Sequence, residues 1–132
     1  MNPCQIARLD HTAVAVTDVD RARRFYAAVL GMTELPRPPS FDFPGAWFQI
    51  GPPEVGHALH LLGQPTPDPR GRRHFCMWTT DLLAAANHIT SAGGKVEWKR
   101  EHKIAGIDRF FVYDPDGNRI EFQGPELDRL PD

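Results

Sequence analysis

The chain has almost no cysteine: Cys4 and Cys76 are the only two among 132 residues. Two cysteines make no disulfide framework. No apolar run approaches the ~18 residues that a bilayer span requires, so no transmembrane helix is expected and a membrane is excluded as a partner. Positive charge is not in excess. The formal net charge is −2 and the sequence pI about 6.3. No basic face is implied, which excludes nucleic acid as a partner. The one cationic cluster, Arg70, Arg72 and Arg73, reads as a solvated loop. Met1-Asn2-Pro3-Cys4 lacks the charged and apolar regions of a signal peptide. A cytoplasmic location is the expectation.

What the chain does have is a repeat. His11, Asp18 and Gly31 recur as His74, Asp81 and Gly94, each 63 residues later. Each copy also carries a second ligand-type residue: His60, 49 residues after His11, and Glu121, 47 after His74. A fixed period fixes architecture before any residue is interpreted. With 41% hydrophobic residues the chain can bury a core. It reads as one domain over 1–132, with module one at about 7–63, a proline-rich linker at 64–73, module two at about 74–124 and a C-terminal tail at 125–132.

Both modules follow one plan. Residues 9–16 and 74–79 alternate as strands. Asp18 and Asp81 are placed to cap helices by accepting from free first-turn amides. Val19, Ala22, Tyr26, Val29 and Leu30 form one helical stripe, and Leu82, Ala85, Ile89 and Ala92 the other. Gly31 and the pair Gly93-Gly94 stand where helices end in a left-handed residue. Short strands follow at about 32–36, 46–50 and 57–62, then at 95–99, 108–113 and 118–123. Asp114-Pro115-Asp116-Gly117-Asn118 has hairpin-turn chemistry. The fold class is α+β, two βαβββ modules building a curved mixed sheet around a cavity. The linker is expected to be stiff and extended.

Strand parity points to a site. Bulky apolar residues face the helices, so Val14 and Val16 send His11 to the opposite face. Leu59 and Leu61 do the same for His60, Phe75 and Met77 for His74, and Ile120 and Phe122 for Glu121. All four polar residues fall on helix-free faces and would converge if the sheets curve together. Three neutral imidazoles and a carboxylate suit a borderline divalent cation. In octahedral geometry four protein ligands leave two open positions, as a catalytic site requires. In tetrahedral geometry they close the shell, as a structural site does.

The segments "DHTAVAVTDVDRARRFYAAVLGM", "HALHLL", "HFCMWTTDL" and "FFVYDPDGNRIEF" resemble the vicinal oxygen chelate superfamily over about residues 7–124. That superfamily includes glyoxalase I, fosfomycin-resistance transferases, extradiol dioxygenases, methylmalonyl-CoA epimerase and bleomycin-resistance proteins. The resemblance implies metal ligands on the first and fourth strand of each module, positions held here by His11, His60, His74 and Glu121. It implies a divalent cation (zinc, nickel, cobalt, manganese or iron(II)), a small oxygen-chelating substrate and a homodimer. A glyoxalase-like lyase or isomerase is the expected activity, with Glu121 or His60 moving the proton. An iron(II) extradiol dioxygenase using His11, His74 and Glu121 is the alternative. A non-catalytic drug- or metabolite-binding protein is another. Ala15 stands where glyoxalase I commonly has a glutathione-binding arginine, which argues against glutathione. Arg109 is the candidate clamp for a substrate carboxylate or phosphonate, with Trp47, Gln49, Trp78 and Phe111 as pocket walls. Cys76 reads as a small filler. His57, His88 and His102 read as surface residues.

Overall fold

The computed structural model describes residues 3–132. Module one runs through β1 (His11–Val16), α1 (Val19–Arg24), β2 (Glu34–Leu35), β3 (Gly45–Ile50) and β4 (His57–Gly63). Module two runs through β5 (His74–Trp78), α2 (Leu82–Ser91), β6 (Glu97–Trp98), β7 (Ile107–Tyr113) and β8 (Arg119–Pro125). Each module is a four-stranded sheet, ordered β1-β4-β3-β2 and β5-β8-β7-β6. The first strand pairs parallel with the last, and the remaining pairs are antiparallel. The expected strands 32–36 and 95–99 shrink to two residues each.

The aspartates act as the sequence implies. Asp18 accepts from the Arg21 amide and Asp81 from the Ala84 amide, both at 3.0 Å. The first helix departs from a continuous 19–30. Beyond Arg24 it widens into a π-helical turn, Phe25–Val29, closed by the Leu30 amide on the Phe25 carbonyl at 3.1 Å. Tyr26, fully buried, sits in that turn. Gly31 has φ +69°, as a left-handed helix stop demands. In module two that conformation falls on Gly93 (φ +94°), not on the repeated Gly94. Gly94 has a packing role: a Cβ there would lie 2.7 Å from Ile89 Cγ2 and 2.8 Å from Val29 Cγ1.

Both helices cover the same side of the sheets, and their stripes join in one core. Val16, Tyr26, Phe48 and Leu59 of module one belong with Leu82, Ile89, Phe110 and Ile120 of module two. Polar bonds stitch the seam. Tyr26 donates its hydroxyl to Asp114 Oδ2 (2.8 Å), Asn118 Nδ2 donates to the Ala15 carbonyl (2.8 Å), and Thr17 bonds Asp116 through both its amide and its hydroxyl. His88, expected at the surface without a role, bonds the Ala28 carbonyl across the seam at 3.1 Å. The linker bends rather than running straight, because Gln64 donates to Thr66 and Asp68 while Arg73 pairs with Asp68. The C-terminal residues are tied down too. The Leu127 amide donates to Asp108, which Lys103 also holds.

Candidate functional site

The helix-free faces are the open ones. Along β1, His11 and Ala13 are exposed while Thr12 and Val14 are half-buried. Along β5, His74, Cys76 and Trp78 are exposed while Phe75 and Met77 turn inward. β1 and β5 are the edges of their sheets and do not pair with each other. His11 and His74 both line a cleft of about 370 Å³ between these edges, together with Asp10, His57, Ala58 and Cys76.

In module one, His60 lies beside Ala13 across the parallel β1–β4 pair and opposite Trp47 across β3–β4. Three rings therefore stack: His11 on His60 at 4.0 Å and 12°, and His60 on Trp47 at 4.2 Å and 5°. Phe41 closes the far end, edge-on to Trp47 at 5.0 Å. Burial, with the neighbouring His11, holds His60 below the ordinary imidazole range and keeps its ring neutral. His11 Nδ1 lies 2.9 Å from Asp10 Oδ2, which fixes the ring and leaves Nε2 available. That bond holds the Asp10 carboxyl below its usual range.

In module two, β5 and β8 set Cys76 beside Glu121 and His74 beside Arg119. His74 Nδ1 bonds the Arg72 carbonyl at 2.8 Å. A carbonyl only accepts, so Nδ1 carries the proton and Nε2 points at Glu121 Oε1, 2.9 Å away. Glu121 is 3% exposed and bound on its other oxygen by Arg109 (3.3 Å) and Gln123 (3.0 Å). Phe111 stands edge-on to His74 at 5.5 Å. Arg109, the expected substrate clamp, has its guanidinium between Glu121 and the His102 carbonyl. His102 thereby joins the support of the site through its backbone. Burial, then the nearby Glu121 charge, pushes the Cys76 thiol up to about 12, so it stays protonated and is no nucleophile at neutral pH.

The four expected ligands thus form two pairs, His11 with His60 and His74 with Glu121, of which His11 and His74 line the cleft. Among the described residues no group of three or more His, Cys, Asp or Glu side chains stands close enough to hold a metal ion. The donor set nonetheless fits a divalent cation in kind. Two imidazoles are oriented through Nδ1 by an acceptor, as metal-ligating histidines are, a third is neutral, and a buried carboxylate lies alongside. The 2.9 Å between His74 Nε2 and Glu121 Oε1 matches neighbouring ligands of a six-coordinate ion with bonds of about 2.1 Å, which lie about 3.0 Å apart. A proton-bridged ion pair has the same spacing.

The sequence pointed to Arg109 and passed over Arg119, two residues before Glu121. Strand parity alone would have placed Arg119 on the same face. Among the described residues no helix is long and apolar enough to cross a membrane.

Comparison with known proteins bears on this arrangement. The family model described as Glyoxalase/Bleomycin resistance protein/Dioxygenase superfamily matches residues 8–122. Glyoxylase I 4 of Arabidopsis thaliana is 33% identical over 137 aligned residues, covering 91% of this chain and 72% of its own. The ethylmalonyl-CoA/methylmalonyl-CoA epimerase of Cereibacter sphaeroides is 32% identical over 125, covering 86% and 92%. Among solved structures, a putative glyoxalase family protein from Bacillus anthracis superposes with a TM-score of 0.81 at 29% identity, over 92% of this chain and 97% of that one. The match spans both sheets and all four residues of the two pairs, and the chain belongs to the glyoxalase/bleomycin resistance protein/dioxygenase superfamily.

Proposed function

We propose that this protein is a divalent-metal-dependent lyase or isomerase acting on a small substrate that presents two neighbouring oxygens. His11, His60, His74 and Glu121 hold the cation in this reading. A single observation carries it: His74 is locked through Nδ1 onto the Arg72 carbonyl with Nε2 beside a buried carboxylate. A buried carboxylate costs several kcal/mol of desolvation unless it is paired. Arg109 supplies one positive partner, and a cation in the cleft supplies a second.

When bound, the cation contributes Lewis acidity toward charge that develops on the substrate oxygens. The chain supplies the rest. Glu121 accepts and returns the proton at Oε1 only when that oxygen is not engaged as a ligand, its Oε2 staying held by Arg109 and Gln123. Arg109 and Gln123 fix its carboxylate plane. His60 keeps a lone pair because its ring is neutral. Trp47 and Phe111 wall the two halves. Exposed Leu9 and Trp78 give the open side an apolar character consistent with pairing of two copies, which is part of the same proposal.

The test is metal content. Wild type is stripped, reconstituted separately with iron(II), nickel, zinc, cobalt and manganese, and measured beside a His11→Ala, Glu121→Ala double variant. Stoichiometric uptake of one or more of these by wild type and its loss in the variant are expected. Wild type that takes up none of them would overturn the reading and leave ligand binding without turnover. Light scattering, expected to give twice the 14.9 kDa chain mass, tests the pairing.

A further inference from the structure

The bare face of module two carries two arginines, one on each side of Glu121. Arg109 is occupied by Glu121 and the His102 carbonyl. Arg119 carries no ion pair among the described residues. Its backbone lies beside His74 across the β5–β8 pair, on the face of the two ligand pairs. Its guanidinium carbon lies over Phe111, 3.8 Å from the ring centroid. It makes one long bond, Nη1 to the Arg72 carbonyl at 3.4 Å, and Nε is buried with no partner. Among the described residues no carboxylate pairs with it, whereas Arg109 on the same face is held by Glu121. A half-buried guanidinium with five donors and one weak acceptor is under-satisfied.

The space beside it brings cationic and neutral donors together. A cavity of about 180 Å³ opens between β1 and β5, lined by Arg119, His74, Arg73, Asn118 and Thr12. Asp68 also lines it, but Arg73 and Gln64 engage that carboxylate. The cation–π contact with Phe111 restrains the guanidinium and lowers the entropy lost when its fork closes on a planar oxyanion.

We propose that Arg119 binds an oxyanion carried by the substrate, a carboxylate or a phosphoryl group, and orients its reacting oxygens toward His74 and Glu121. This rests on the reading above and names its substrate class: small oxygen-chelating molecules with an additional anionic group. Arg109 is then a positioning residue for Glu121, and Arg119 takes the clamp role that the sequence suggested for Arg109.

The experiment uses metal-free protein, so it stands or fails apart from the metal reading. Inorganic phosphate and acetate are titrated separately at constant ionic strength, and the melting temperature is followed. Saturable stabilisation of wild type by at least one anion is expected, lost in Arg119→Gln and kept in Arg73→Gln. Response to acetate identifies a carboxylate and response to phosphate a phosphoryl group. If Arg119→Gln does not fold, Arg119→Lys replaces it, with an expected rise of fivefold or more in the midpoint. Stabilisation that never saturates, or midpoints in the Arg119 variants within twofold of wild type, would overturn the proposal.

Discussion

Replacing Tyr26 with phenylalanine isolates one atom of the seam that joins the two modules. The Tyr26 hydroxyl is fully buried and donates to Asp114 Oδ2 at 2.8 Å. Asp114 is itself 5% exposed and accepts from the Asp116 amide (3.0 Å), the Asn118 amide (2.8 Å) and Asn118 Nδ2 (2.8 Å). Tyr26→Phe keeps the ring in the core but removes one of these four donors. A hydrogen bond to a charged group contributes about 1.5–3 kcal/mol. Three donors remain, so a loss of about 2 kcal/mol follows. At ~2.1 cal/mol/K per residue, 132 residues unfold with an entropy of about 0.28 kcal/mol/K. The melting temperature should fall by about 7 °C. The bond also has a pH signature. Burial, then the Asp114 charge, raises the Tyr26 hydroxyl well above its ordinary value of 10.0. A raised folded value means that the native state holds its proton more tightly than the unfolded state. The stabilisation is complete below pH 10 and shrinks as pH climbs toward the folded value. Calorimetry of wild type and Tyr26→Phe at pH 7 and pH 10.5 measures both effects. A melting difference under 2 °C at pH 7, or a stability gap that widens at pH 10.5, would refute the reasoning.

Asp18→Ala removes the cap on the Arg21 amide and should cost about 1 kcal/mol, seen as a lower urea midpoint with unchanged slope. Gly94→Ala forces a methyl against Ile89 and Val29 at the seam, and overpacking of about 1–3 kcal/mol should appear in the same assay. His60 has a folded value below the ordinary 6.5, so its neutral-ring contribution is whole above pH 6.5 and is lost as pH falls through the folded value. Stability curves from pH 7.5 to 5 should fall less steeply for His60→Asn than for wild type. Identical slopes would contradict the depressed value.

Much of the scaffold was legible from local chemistry. The capping aspartates behave alike in both modules because a cap involves only residues within one helical turn. The inward set Leu59, Leu61, Ile120 and Phe122 was legible because alternation along a strand is a property of the chain itself. Repetition misled at Gly94, where sequence equivalence to Gly31 hid a change of role from backbone conformation to packing. The π-helical turn left no periodicity signal, since Ala22 and Tyr26 are spaced as in an ordinary helix.

The candidate site divides in the same way. From its own sequence the chain determined that His11, His60, His74 and Glu121 stand on helix-free faces, because the side-chain period of two leaves no other choice once the apolar residues are buried. Which neighbour each residue meets was decided only by the tertiary structure. Register across β5, β8 and β7 sets Arg109 opposite Gln123, one diagonal step from the Glu121 it reaches, and leaves Arg119 without a carboxylate beside His74. Alternation specifies a face but not a register. The register is set by the hairpin at Asp114–Asn118 and by a core shared between distant segments, neither of which is written in any one strand.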